Sequence, residues 1–99
     1  VSPARGLLSH FAGQRYYVYV LENNTSGWYI GFTEDLKKRL SEHQAKNGGK
    51  TTRQAEGWRL IYFEGYRLKA DAIGREKFLK GGSGRTYLKK QLRNYLLQK

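Results

Sequence analysis

A chain of 99 residues suits one domain with one modest core, because independent domains commonly hold about 100–150 residues. Nineteen Lys and Arg against eight Asp and Glu leave a formal charge of +11, which argues against a neutral scaffold. Cysteine is absent, which excludes disulfides, thiolate zinc sites and a cysteine nucleophile, and no apolar run approaches the ~18–20 residues of a membrane span.

Residues 1–15, with Pro3, Gly6 and Gly13, read as an N-terminal arm ahead of a domain over 16–97. Tyr16–Glu22 (YYVYVLE) is dense in β-branched and aromatic residues and reads as a strand. Asn23–Gly27 is a turn cluster and Trp28–Phe32 (WYIGF) a second strand, so the two form a hairpin. Neither strand alternates cleanly with polar residues, as expected of a sheet covered on both faces.

Thr33 offers a helix N-cap, with Glu34 and Asp35 in the first turn where the helix dipole favours negative charge. Leu36, Leu40 and His43 then fall on one helix face. Lys46–Gly57 is polar and Gly-containing, a loop with Lys46, Lys50 and Arg53. Trp58–Glu64 (WRLIYFE) is the third strand. A helix over Leu68–Lys80 ends at Gly81-Gly82, and a last helix runs from beyond Gly84 to about Leu97. Its inner face carries Leu88, Leu92, Tyr95 and Leu96, its outer face Lys89, Lys90 and Arg93. The order β-β-α-β-α-α predicts an α/β (α+β) domain, a small three-stranded sheet with helices against it.

Charge is uneven. Tyr66–Lys99 holds ten basic residues and two acidic ones, so this third carries +8 of the +11. Basic clusters interleaved with aromatics suit a polyphosphate, whose neutralisation releases counterions. Lys46, Lys50, Arg53, Lys80, Arg85, Lys89, Lys90 and Arg93 are the candidate nucleic-acid contacts. DNA is the expected partner, RNA binding is equally open, and neither a membrane partner nor a signal peptide is expected, consistent with a cytoplasmic protein.

Three features sit awkwardly in a purely structural role. Glu76 shares a helix face with Ala72, Ile73 and Leu79, where a carboxylate is costly unless paired with a cation or bound to a metal. Arg39 and His43, at i and i+4, project from one side of the first helix, a pairing that suits phosphate binding and proton transfer as well as an ordinary solvated flank. Tyr17 and Tyr19 share a strand face, with Tyr29 and Gly31 on the hairpin partner. A glycine inside a strand often admits a ligand or a close neighbour.

Taken in order, these residues resemble the GIY-YIG nuclease family. The half-motifs read Tyr17-Val18-Tyr19 and Tyr29-Ile30-Gly31, Arg39 occupies the helix that follows, and the segment Ala72–Lys80 matches the one supplying the family's glutamate. The resemblance covers about Tyr16 to Leu96 and is nearest the small stand-alone bacterial members. It implies a three-stranded, mainly antiparallel sheet with flanking helices, one Mg²⁺ or Mn²⁺, and hydrolysis of phosphodiester bonds in DNA that is structure-directed or weakly sequence-specific. It further implies that Glu76 binds the metal, Arg39 neutralises the scissile phosphate, Tyr19 supports Tyr29, and Tyr29 or His43 serves as base. Tyr17 stands where the family's first Gly would be, and Phe32 where some members carry lysine. On this reading an acid on the second long helix, a guanidinium on the first and a phenol on the hairpin converge on one ion. The alternative is an idle nucleic-acid-binding module of the same fold.

Overall fold

The computed structural model describes residues 15–47 and 57–99. The arm ahead of Arg15 and the loop positions Lys50 and Arg53 lie outside the described residues. Three strands, β1 (Tyr16–Glu22), β2 (Trp28–Thr33) and β3 (Arg59–Tyr66), form one antiparallel sheet in the order β2-β1-β3. The β1–β2 hairpin turns on Asn23, whose Oδ1 accepts hydrogen bonds from Thr25 N (3.0 Å) and Gly27 N (2.7 Å). Register places Tyr19 opposite Gly31 on one side and opposite Phe63 on the other. A bulge between Val20 and Leu21 shifts the β1–β3 pairing.

Helix α1 (Leu36–Asn47) follows β2, while α2 (Lys69–Lys80), α3 (Gly82–Gln91) and the short α4 (Arg93–Leu97) follow β3. Successive strand residues point to opposite faces. Val18, Val20 and Ile30 face Ala72 and Leu79 of α2 and Leu88 of α3, forming the buried core. Burying each of the larger aliphatic side chains contributes about 1.5–3 kcal/mol. The other face carries Tyr17, Tyr19 and Tyr29, and α1 lies over it.

The structure redraws four local expectations. Asp35 caps α1, its Oδ1 accepting from Lys38 N at 3.1 Å, because Thr33 is still held in β2; Glu34 and Asp35 therefore precede the first turn. Helix α1 runs to Asn47, so Lys46 is helical and not in a loop. The third strand starts at Arg59 and continues to Tyr66, because the central strand pairs along its full length. Finally, Gly82-Ser83-Gly84 is not a break but the first turn of α3, and the last helix is instead interrupted at Leu92 (φ −103°, ψ 25°). Gly84 is required there by contact, since a Cβ would sit 2.0 Å from the Phe78 carbonyl oxygen where α2 and α3 cross.

Two carboxylates, Glu22 buried and Glu64 partly exposed, tie the layers together. Glu22 is fully buried and accepts from Trp28 Nε1 (2.9 Å), Arg59 (2.8 Å), Lys99 Nζ (2.6 Å) and the Tyr95 hydroxyl. The break at Leu92 turns α4 so that Tyr95 reaches this carboxylate. Burial alone would raise the Glu22 carboxyl, but the hydrogen bonds from Lys99, Tyr95 and Trp28 prevail and hold it down to about 2. Glu64 of β3 receives Arg75 Nε (2.9 Å) and Nη2 (3.0 Å) in a bidentate pair, together with the hydroxyls of Tyr62 and Tyr66.

Candidate active site

The side chains of Tyr19, Tyr29, Arg39 and His43 meet on the α1 face of the sheet. Tyr19 lies in the middle of β1 and is almost fully buried. Its hydroxyl accepts a hydrogen bond from Arg39 Nε (3.2 Å) and lies 3.3 Å from His43 Nε2. The guanidinium can only donate, so the phenol's own proton is available to the imidazole in the tautomer that leaves Nε2 unprotonated. Burial raises the Tyr19 phenol above its ordinary value and outweighs the opposing hydrogen bond from Arg39, so it stays neutral.

Gly31 makes the arrangement possible. A Cβ at this position would lie 2.5 Å from the Tyr19 hydroxyl and 2.9 Å from the Tyr29 ring. The gap expected beside the tyrosines is therefore filled by the reactive end of Tyr19. Tyr29 stacks on Tyr19 (centroids 6.2 Å) and meets His43 edge to face at 5.1 Å, while 39% of its surface is open to solvent. Arg39 also donates to Glu42 at 3.1 Å, and its hydrogen bonds to Tyr19, Glu42 and Tyr29 hold the guanidinium firmly charged. It borders a hollow of about 320 Å³ at the open edge of β2, lined by Phe32, Thr33 and Lys38 and by the acidic Glu34, Asp35 and Glu42.

Glu76 stands on α2, one turn beyond the buried Ala72, in the layer across the sheet from Tyr19. Its carboxylate is about four-fifths sheltered and pairs with Lys80 at 3.2 Å, the ion pair that the sequence left open. Among the described residues no three His, Asp or Glu gather into a metal-binding group. The phenol, guanidinium and imidazole thus come together, whereas the acid stands in the other layer, paired with Lys80, and shares no hollow with Arg39 among the described residues. β2 is an edge strand, and α2 packs against it and β1.

The basic residues divide between layers. Lys89, Lys90 and Arg93 form one exposed stripe with Thr86 along α3 and α4, beside a groove of about 520 Å³, and Lys80 and Arg85 are exposed nearby in sequence. Helix α1, which carries Lys46, covers the opposite face of the sheet. One continuous basic face is therefore not formed by these elements, since a nucleic acid touching both must pass around a sheet edge. Sequence reasoning passed over Glu22, Glu64 and Arg75. The signal for the first was a carboxylate ending a run of strand apolars opposite a tryptophan.

Fold and site together define a class: a small α/β domain in which a β-hairpin and the helix after it bring phenols, a guanidinium and an imidazole together, the guanidinium also bordering a surface hollow. The chain belongs to the GIY-YIG family, residues 15–92 matching the GIY-YIG catalytic domain, a family of nucleases whose substrates are nucleic acids. It is 41% identical over 64 residues to a UPF0213 protein of Streptococcus pneumoniae serotype 4, covering 65% of each chain. A UPF0213 protein of Limosilactobacillus reuteri is 38% identical over 71 residues, covering 70% of this chain and 74% of that one. The solution structure of a UPF0213 protein from Bacillus halodurans is 34% identical, with a TM-score of 0.49, over 81% of this chain and 83% of that one. The chain spans just under two thirds of the length of the pneumococcal relative.

Proposed function

We propose that this protein is a divalent-metal-dependent endonuclease that hydrolyses phosphodiester bonds in DNA. The observation that carries the reading is the Tyr19 hydroxyl, lodged on Gly31 between Arg39 Nε and His43 Nε2. A phenol so placed is a proton carrier held in register with a phosphate-binding cation.

Arg39 binds the scissile phosphate and stabilises the charge that develops on the pentavalent phosphorus. Tyr29, half-open to solvent beside it, orients the attacking water. As the water loses its proton, Tyr19 receives one on its oxygen and passes its own to His43 Nε2, so the buried phenol never carries charge. On this reading His43 is the final proton acceptor and Tyr29 the group that positions water.

Glu76 fits the metal that the family implies. Mg²⁺ is commonly held through one or two carboxylates plus substrate phosphates and keeps several of its waters. A single sheltered carboxylate whose partner is the exposed Lys80 suits that donor set, because Lys80 can swing into solvent. When bound, the ion supplies Lewis-acid stabilisation at the same phosphate. On this reading the scissile phosphate lies at the β2 edge, between the two layers.

The test is a panel of labelled DNA and RNA oligonucleotides, paired, flapped and single-stranded, incubated with Mg²⁺, Mn²⁺ or EDTA. Cleavage in either metal that EDTA stops and Arg39→Ala abolishes is the expected result. Cleavage by Arg39→Ala at the parent rate overturns the reading.

A further inference from the structure

One hollow that the mechanism leaves unused is a groove of about 700 Å³ between the start of α1 and the strands β1 and β3. Its apolar wall is Tyr17, Phe63, Leu36 and Leu40. Tyr17 and Phe63 are in ring contact (centroids 6.2 Å, 60°), and Phe63 leaves 39% of its surface open. The volume lies within the range of small-molecule sites, about 300–1,000 Å³, and admits a nucleobase with its sugar.

Three observations connect this groove to the catalytic cluster. Tyr17 and Tyr19 project from the same face of β1, about 6.8 Å apart along the strand, close to the step from one nucleotide to the next in an extended strand. The groove and the hollow that Arg39 borders have Glu34 and Asp35 in common as lining, so a strand whose phosphate rests on Arg39 passes beside the groove. The rim charges then set the orientation. Glu34 and Asp35 lie between the groove and the Arg39 hollow, and their carboxylates can accept hydrogen bonds from the amino groups of a base. Arg15 and Lys37, also at the rim, suit the sugar-phosphate backbone as it leaves.

We infer that this groove is a subsite for an unpaired nucleobase adjoining the scissile phosphate, stacked on Phe63 and Tyr17. The inference rests on the catalytic reading in placing the phosphate at Arg39. It names the substrate class as a strand that is single or frayed at the cut, since a base stacked on Phe63 cannot also be paired.

The experiment measures binding in the Glu76→Gln background, so that hydrolysis plays no part. Three probes are compared: a labelled single-stranded DNA oligonucleotide, the same strand carrying one abasic residue moved position by position, and the blunt duplex. The protein is expected to bind the single strand best and to lose about tenfold at one abasic position. Phe63→Ala should lose about tenfold for the intact strand and become indifferent to the abasic position, while Phe63→Trp restores both. The inference is overturned if Phe63→Ala, with an unchanged melting temperature, keeps the parent's affinity and abasic profile. It is equally overturned if the duplex binds as well as the single strand. Failure of the parent to cleave any substrate would count against the catalytic reading instead and leave these binding differences standing.

Discussion

The Tyr19 hydroxyl occupies the space that a side chain on Gly31 would fill, 2.5 Å from where its Cβ would stand. The two residues face each other across the β1–β2 ladder, so the strand pairing that builds the sheet also sets the proton carrier. Gly31→Ala should push Tyr19 off Arg39 and His43. A misplacement of this size is expected to lower cleavage about a hundredfold. Loss of both hydrogen bonds, read by NMR of the His43 ring, would accompany it.

The proton path through Tyr19 to His43 predicts non-additive kinetics. Tyr19→Phe and His43→Ala should each reduce the rate about a hundredfold, and the double variant should be little worse than either, because both remove one relay. Single-turnover rates of the three variants decide this. Multiplying effects would mean that the two residues act separately.

Glu22 makes stability sensitive to acid. Its folded carboxyl is held at about 2, below the ordinary 4.5. The stabilisation is therefore complete above about pH 4.5 and lost as pH falls toward 2. Glu22→Gln should cost about 2 kcal/mol at neutral pH, less than for a fully enclosed pair because Arg59 and Lys99 reach solvent. Its melting temperature should change less between pH 5 and pH 2 than the parent's, as followed by circular dichroism.

Gly84→Ala tests the crossing of α2 and α3. With a Cβ forced to 2.0 Å from the Phe78 carbonyl oxygen, the helices must separate. We expect a loss of roughly 3 kcal/mol, or about 15 °C in melting temperature. Gly74, where a Cβ meets nothing within 4 Å, is the control: Gly74→Ala should leave stability equal or higher, since alanine favours the helix.

Much of this was legible in the order of residues, for local reasons. The β-branched and aromatic runs of β1 and β2 mark strands because short-range sterics favour them there. Tyr19, Tyr29, Arg39 and His43 lie within 25 positions on a hairpin and the helix after it, so period-2 and period-3.6 spacing suffices to bring them together. Glu76 belongs to a later helix, and which layer that helix joins depends on long-range packing. Spacing marked its unusual face but not its distance from Arg39. The Leu92 break and the Glu22 and Glu64 clusters were hidden for the same reason. Nothing next to Leu92 stops a helix; the distant carboxylate that Tyr95 reaches accounts for the turn. Glu64 and Arg75 each look like ordinary surface charges until β3 and α2 pack.

The central claim is that an acid from the α2 layer and a guanidinium from the α1 layer serve one phosphate at the β2 edge. The most direct measurement compares Glu76→Gln with the parent for DNA cleavage across Mg²⁺ and Mn²⁺ concentrations, with binding of the same strand followed in parallel. The account predicts that cleavage disappears at every metal concentration while affinity stays within a few fold of the parent's. Cleavage by Glu76→Gln at the parent rate, with the same metal dependence, would contradict it.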